Sequence, residues 1–203
     1  MAVSKETPND QNMSKPELPV LLFETPGEWR DWLEQNHQNT EGVWLQFYKK
    51  DTGIKSLNHD TALDEALCFG WIDGQANKYD EKSYLQKFTP RRKRSIWSKR
   101  NIEHIERLGK EGKMHPAGWR EVEAAKADGR WNNAYNPPSQ MIVPDDFLAE
   151  LAKDKEAMSF FETLNKTNKF AISFRLHNAK RPETRAKRIQ TFVEMMKKRE
   201  KLY

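Results

Sequence analysis

The spacing of hydrophobic positions changes midway along the chain, from a mixture of strand-like and helical rhythms to a purely helical one. Residues 19–23, PVLLF, form a short apolar run that reads as a strand. TPGEWRDWLEQNH then places Trp29, Trp32 and Leu33 on one helical stripe. Thr25 stands just before Pro26, and Glu28 follows three residues after Thr25, the capping box of a helix start. GVWLQFYKK, residues 42–50, alternates Val43, Leu45 and Phe47 against Trp44, Gln46 and Tyr48, so it predicts a strand with one buried face. After the turn DTGIKS, a helix is expected over about 60–69, capped by Asp60 or Thr61, with Ala62, Leu63, Ala66 and Leu67 inward. WIDGQANKYDEKSYLQKFTPR predicts a β-hairpin with strands near 71–78 and 83–89 and a turn at YDEK.

Beyond Pro90 the helical period dominates. Asn101 to Lys110 turns Ile102, Ile105 and Leu108 to one side. Pro116 opens PAGWREVEAAKADG, and Gly129 closes it. PDDFLAEL, KEAMSFFETL and PETRAKRIQTFVEMMKKRE continue the series, the first with acids at the positive end of its helix and the last with bases at its negative end. NKFAISFRLHNA alternates Phe170, Ile172, Phe174 and Leu176, as a strand does, but its neighbours are helical on both sides, and it is taken as helix. The fold class is therefore α+β: a small antiparallel sheet with helices over 19–98 and an all-helical part over 99–203, packed as one unit or as two small domains behind a disordered tail over 1–18.

Composition sharpens this picture. Apolar residues make up 36% and charged residues 32% of the 203, yet seven Trp and ten Phe supply a substantial core. The net charge of +5 conceals a division. Residues 1–86 carry eight basic and fifteen acidic side chains, whereas residues 87–203 carry 27 and 15. Part of the basic charge is thus available for internal pairing, which weakens any direct step from a basic pI to nucleic acid. Cys68 is the sole cysteine and lies in the apolar run ALCFGW, which favours a buried structural thiol over a nucleophile. No run has the length of a membrane span, and MAVSKETPNDQNMSKPELP lacks the apolar segment of a secretory signal, so a cytoplasmic location is expected.

Chemistry-bearing motifs are sparse. His37, His59, His104, His115 and His177 show no zinc-helix spacing, and no phosphate loop or nucleophile elbow occurs, so neither a metal nor a cofactor is expected. Two features stand out. In CFGWIDGQ, Gly70 and Gly74 bracket Trp71 and Asp73, and a buried Asp73 needs a partner, for which the arginines of 91–94 and Lys99 are candidates. FTPRRKRSIWSKRN follows, part of a stretch from Lys87 to Arg100 with seven basic side chains and no acid. It reads first as a cationic linker pinned by Ile96 and Trp97. The second reading is an anion site in which arginines and Ser95 or Ser98 precede a helix start. Third is a nucleic-acid grip of phosphate-binding bases and stacking aromatics. The candidate ligand residues are Trp71, Asp73, Arg91, Arg92, Arg94, Trp97 and Lys99. Basic residues also cluster at 179–188.

EALCFGWIDGQ, YLQKFTPRRKRSIWSKRN, EAAKADGRW and AKRPETRAKRIQTFVEMM resemble the bacterial YdeI/OmpD-associated family, also labelled bacteriocin-protection proteins, from about Leu21 onward. The resemblance implies a role in protection against bacteriocins or cationic peptides and brings no catalytic residues with it. Two functions are carried forward. One is a non-enzymatic binding or stress-protection protein that engages an anionic partner through a cationic surface. The other is an enzyme acting on a small anionic substrate with Asp73 as acid or base. Non-specific nucleic-acid binding stands third.

Overall fold

The computed structural model describes residues 18–203. The tail expected over 1–18 lies outside these residues, except for Leu18, which is half-buried. The chain divides into two compact units, one ending at Arg91 and one spanning Arg92–Tyr203. The α+β assignment holds: a four-stranded sheet stands in the first unit, and the second is helical.

The first unit runs β1 (Val20–Leu21), α1 (Pro26–Asn36), β2 (Val43–Tyr48), α2 (His59–Cys68), β3 (Trp71–Lys78) and β4 (Ser83–Pro90). The sheet order is β1-β2-β4-β3. β2, β4 and β3 are antiparallel, as the hairpin pattern requires. β1 pairs parallel to β2, a departure from the wholly antiparallel sheet expected, because α1 carries the chain back across one face between the two strands. Val43, Leu45 and Phe47 are buried, matching the two-residue period. The core is aromatic. Trp29 is fully buried and packs edge-on to Trp71 at 6.2 Å and Phe88 at 5.9 Å. Its indole N–H donates to the Ala62 carbonyl, and that of Trp71 to the His37 carbonyl, so neither ring buries an unsatisfied donor.

Local chemistry sets the element ends. The Thr25–Glu28 capping box forms as the sequence indicates. α2 is capped two or three residues earlier than expected: Asn58, rather than Asp60 or Thr61, accepts from the Thr61 amide at 2.9 Å. Asn and Asp are equally good caps, so propensity alone could not choose between them. Gly70 takes φ 75°, the left-handed turn that joins α2 to β3. Gly74 instead sits in a β-bulge where the β3–β4 register shifts between Asp73 and Ala76.

The second unit comprises α3 (Lys99–Lys110), α4 (Pro116–Ala127), α5 (Asp145–Leu151), α6 (Lys155–Glu162), α7 (Lys166–His177) and α8 (Pro182–Lys197). α5 to α8 surround a core that includes Phe147, Leu151, Phe161, Ile172, Leu176 and Phe192. α7 is helical, and its strand-like alternation resolves into two i,i+4 pairs. Ile172 and Leu176 enter that core, while Phe170 and Phe174 meet each other at 5.7 Å, with Tyr135 edge-on to Phe174 at 4.8 Å. Buried Asn168 accepts from the amides of Leu202 and Tyr203, tying the chain end to α7.

Candidate functional site

A cavity of about 630 Å³ opens in the first unit between the end of β2, the loop over 49–58 and the start of α2. The strand register builds its wall. Phe47 on β2 and Tyr84 on β4 are directly opposed, and their rings stack at 5.3 Å with planes 18° apart. Phe47 is buried beneath, and Tyr84 is half-buried. The loop leaves β2 through a single helical turn at Lys50–Thr52 and reverses at Gly53, whose φ of 68° favours glycine. This course brings Lys49, Lys50 and Lys55 to the same cavity, with Ile54 among them and 45% exposed. The Lys49 ammonium donates to the Glu81 carbonyl. Lys50 and Lys55 meet no acid among the described residues. Residues 18–91 carry eight basic and twelve acidic side chains, so three of the eight cations converge on this one opening.

His59, the first residue of α2, also lines the cavity. Its Nε2 lies 3.2 Å from Asp73 Oδ2 and its Nδ1 lies 3.7 Å from Asp60 Oδ1. Both the His59 and Asp73 side chains are 29% exposed. The hydrogen bond to Asp73 is the main cause that raises the imidazole above its ordinary pKa, opposed in part by burial. The ring therefore holds positive charge to higher pH than a free histidine. Burial also raises the Tyr84 phenol, which remains a neutral hydrogen-bond donor at physiological pH. Chemically, the site offers two ammonium groups with no acidic partner among the described residues, an imidazole oriented by a carboxylate, the Asp60 carboxylate, and a phenol beside an apolar wall.

Trp71, Asp73 and Arg91 fall in the first unit, and Arg92, Arg94, Trp97 and Lys99 in the second. Trp71 is part of the aromatic core. Asp73 pairs with His59, a partner that the sequence reading did not name, and reaches the cavity only through it. Arg91 is buried at the end of β4, where its amide donates to the Gly70 carbonyl. Arg92, Arg94 and Lys99 are exposed. Trp97 is buried against Trp131 at 5.1 Å, while Ile96, expected to help pin the linker, is 41% exposed. The two serines proposed for an anion site are engaged locally. Ser95 accepts from the Arg92 amide, and Ser98 caps α3 by accepting from the Asn101 amide. Arg130 holds the Ser95 carbonyl at 2.9 Å. The second basic cluster is partly structural as well. Arg185 forks onto Asp146, and Arg188 donates to the Arg175 carbonyl.

Cys68 is fully buried, and its thiol is raised to about 11, chiefly by desolvation, so at neutral pH it is an inert core group. Lys50, Lys55 and His59 escaped the sequence reading because KKDTGIK looks like any charged turn. Only the stacking of Tyr84, thirty-odd positions downstream, gives that turn a wall to face.

Comparison with known proteins matches two segments of the chain, the first of which runs across the boundary at Arg91 and Arg92. Residues 140–199 match the family described as Bacteriocin-protection, YdeI or OmpD-Associated, and the chain carries that segment as α5 to α8. Residues 21–121 match a domain of unknown function, DUF8412, and contain EALCFGWIDGQ and YLQKFTPRRKRSIWSKRN. No curated protein matches the chain. No solved structure matches it either. Among the described residues, no helix is long and apolar enough to cross a membrane.

Proposed function

We propose that the chain is a binding protein of the bacteriocin-protection type and that it engages a small anionic ligand in the cavity of its first unit. The observation that carries this reading is the convergence of Lys50, Lys55 and His59 on one opening, with both lysines lacking an acidic partner among the described residues. An anion held there meets ammonium groups without displacing an internal ion pair. The exposed Arg92, Arg94 and Lys99 do not line this cavity, and Asp73 serves to orient His59.

The test is titration with inorganic phosphate at low ionic strength, followed by amide chemical shifts. Near an exposed site each lysine contributes about 1 kcal/mol, or about fivefold in affinity. The Lys50→Gln and Lys55→Gln variants are expected to weaken binding about fivefold each and to flatten its salt dependence, while Arg92→Ala with Arg94→Ala leaves it unchanged. Unaltered affinity in the double lysine variant rejects the site.

An enzymatic reading has one specific observation in its favour, the carboxylate-oriented imidazole at the cavity wall. There His59 is the proton-transferring group and Asp73 its positioning residue. This reading predicts that Asp73→Asn abolishes turnover of a substrate found by screening small organic acids and phosphate esters. Turnover at the wild-type rate in Asp73→Asn sinks it.

A further inference from the structure

We infer that the ligand of the first unit's cavity is an aromatic anion: a flat apolar ring bearing a phosphate or carboxylate group. This rests on the anion-binding reading above and adds the body of the ligand to its head. The cavity carries two kinds of lining. Lys49, Lys50, Lys55 and His59 supply cationic or proton-donating groups beside one carboxylate, Asp60. Tyr84 on its Phe47 support, Leu57 and Ile54 supply apolar surface. A simple inorganic anion uses the first set and leaves the second wetted.

Three observations point to an apolar, planar body. The Tyr84 ring is held nearly parallel to a buried Phe47, with planes 18° apart, so it cannot tilt without disturbing the sheet core. A ring fixed in this way is a preformed stacking surface whose ordering cost is met on folding. Ile54 is 45% exposed within a loop that holds three lysines, and it lines the same cavity. An isolated surface isoleucine needs no explanation, but one that shares a concave wall with a stacked tyrosine and three lysines has the composition of a ligand pocket, apolar with a few convergent polar groups. The volume of about 630 Å³ also exceeds what a bare phosphate or acetate occupies and lies within the range of small-molecule sites. Lys49, Lys50 and Lys55 outnumber the one lining carboxylate, Asp60, and so disfavour cationic rings. The Tyr84 hydroxyl remains protonated and donates to the anionic head.

The experiment compares inorganic phosphate, cyclohexyl phosphate and phenyl phosphate on the full chain at low salt, read by chemical shifts of the Ile54 methyl groups and the Tyr84 ring. Phenyl phosphate is expected to bind at least tenfold more tightly than inorganic phosphate and severalfold more tightly than cyclohexyl phosphate. Ile54→Ser, at an exposed position that the fold does not depend on, is expected to reduce the preference for phenyl phosphate while leaving phosphate affinity unchanged. Equal affinity for phosphate and phenyl phosphate overturns the apolar body and leaves the anion site standing. Equal affinity for the cyclohexyl and phenyl esters overturns the aromatic requirement. No perturbation of Ile54 or Tyr84 by phenyl phosphate overturns this inference, and the amide-shift titration with inorganic phosphate decides the anion site separately.

Discussion

Arg185 separates the structural cations of this chain from the available ones. Its Nε and Nη2 donate to the two oxygens of Asp146 at 2.6 and 2.7 Å, and its Nη1 donates to the Leu176 carbonyl at 2.8 Å. One side chain thereby joins the first turn of α5, the last turn of α7 and its own helix, α8. The magnitude follows from exposure. Arg185 is 30% and Asp146 46% exposed, so the ion pair belongs near the upper end of surface values, about 1 kcal/mol for a two-pronged geometry. The bond to Leu176 adds a second donor to a helix-end carbonyl that already accepts from the Ala179 amide, and contributes about another 1 kcal/mol after discounting for solvent. Arg185→Ala is therefore expected to destabilise the second unit by about 2 kcal/mol, measured by urea unfolding with both near- and far-ultraviolet circular dichroism. Lys180→Ala and Lys187→Ala are expected to fall within about 0.5 kcal/mol of the parent. A double-mutant cycle with Asp146→Asn is expected to return a coupling near 1 kcal/mol. Arg185 holds the Asp146 carboxyl below its ordinary value, so the contribution is present above about pH 4 and is lost as pH falls through the lowered pKa. Parent-like stability of Arg185→Ala, or zero coupling, would refute the clamp and return Arg185 to the free cationic surface.

Two further outcomes follow from the first unit. Gly42 has φ 143°, and a Cβ there would lie 2.6 Å from the Phe88 carbonyl, so Gly42→Ala combines backbone strain with overpacking and is expected to cost about 2–5 kcal/mol in a denaturant titration; a loss below 1 kcal/mol would show that β2 relaxes around the methyl. His59 is raised in the folded chain, so its charge contributes stability that is complete below about pH 6.5 and is lost as pH rises through the folded value. Phosphate affinity is expected to decline over the same window, and Asp73→Asn to move that decline to lower pH; an NMR titration of the His59 ring that is unchanged by Asp73→Asn would contradict the assigned cause.

Much of the architecture was legible because short-range chemistry dictates it. The capping box at Thr25, the two-residue period of Val43, Leu45 and Phe47, and the YDEK hairpin each specify an element within a few residues. The helical state of α7 was legible only from its neighbours, because the alternation of Phe170, Ile172, Phe174 and Leu176 satisfies both periods when a helix is covered on two sides. The parallel entry of β1 was not legible, since an apolar pair of residues carries no sign of strand direction.

The candidate site divides along the same line. Sequence alone marked Asp73 as an acid in need of a partner if buried, Trp97 as an anchor and Cys68 as a structural thiol; Trp97 and Cys68 are buried, while Asp73 is 29% exposed and meets His59. In the second unit, Arg130 donates to the Ser95 carbonyl and Trp131 packs on Trp97. Only the tertiary structure decided that Asp73 meets His59, that Arg185 grips Asp146, and that Lys50 and Lys55 line one cavity with Tyr84. Those partners are separated by 14 to 39 positions and are brought together by strand register and helix packing. A charged residue in a sequence shows that it must be satisfied or solvated, and the fold decides which.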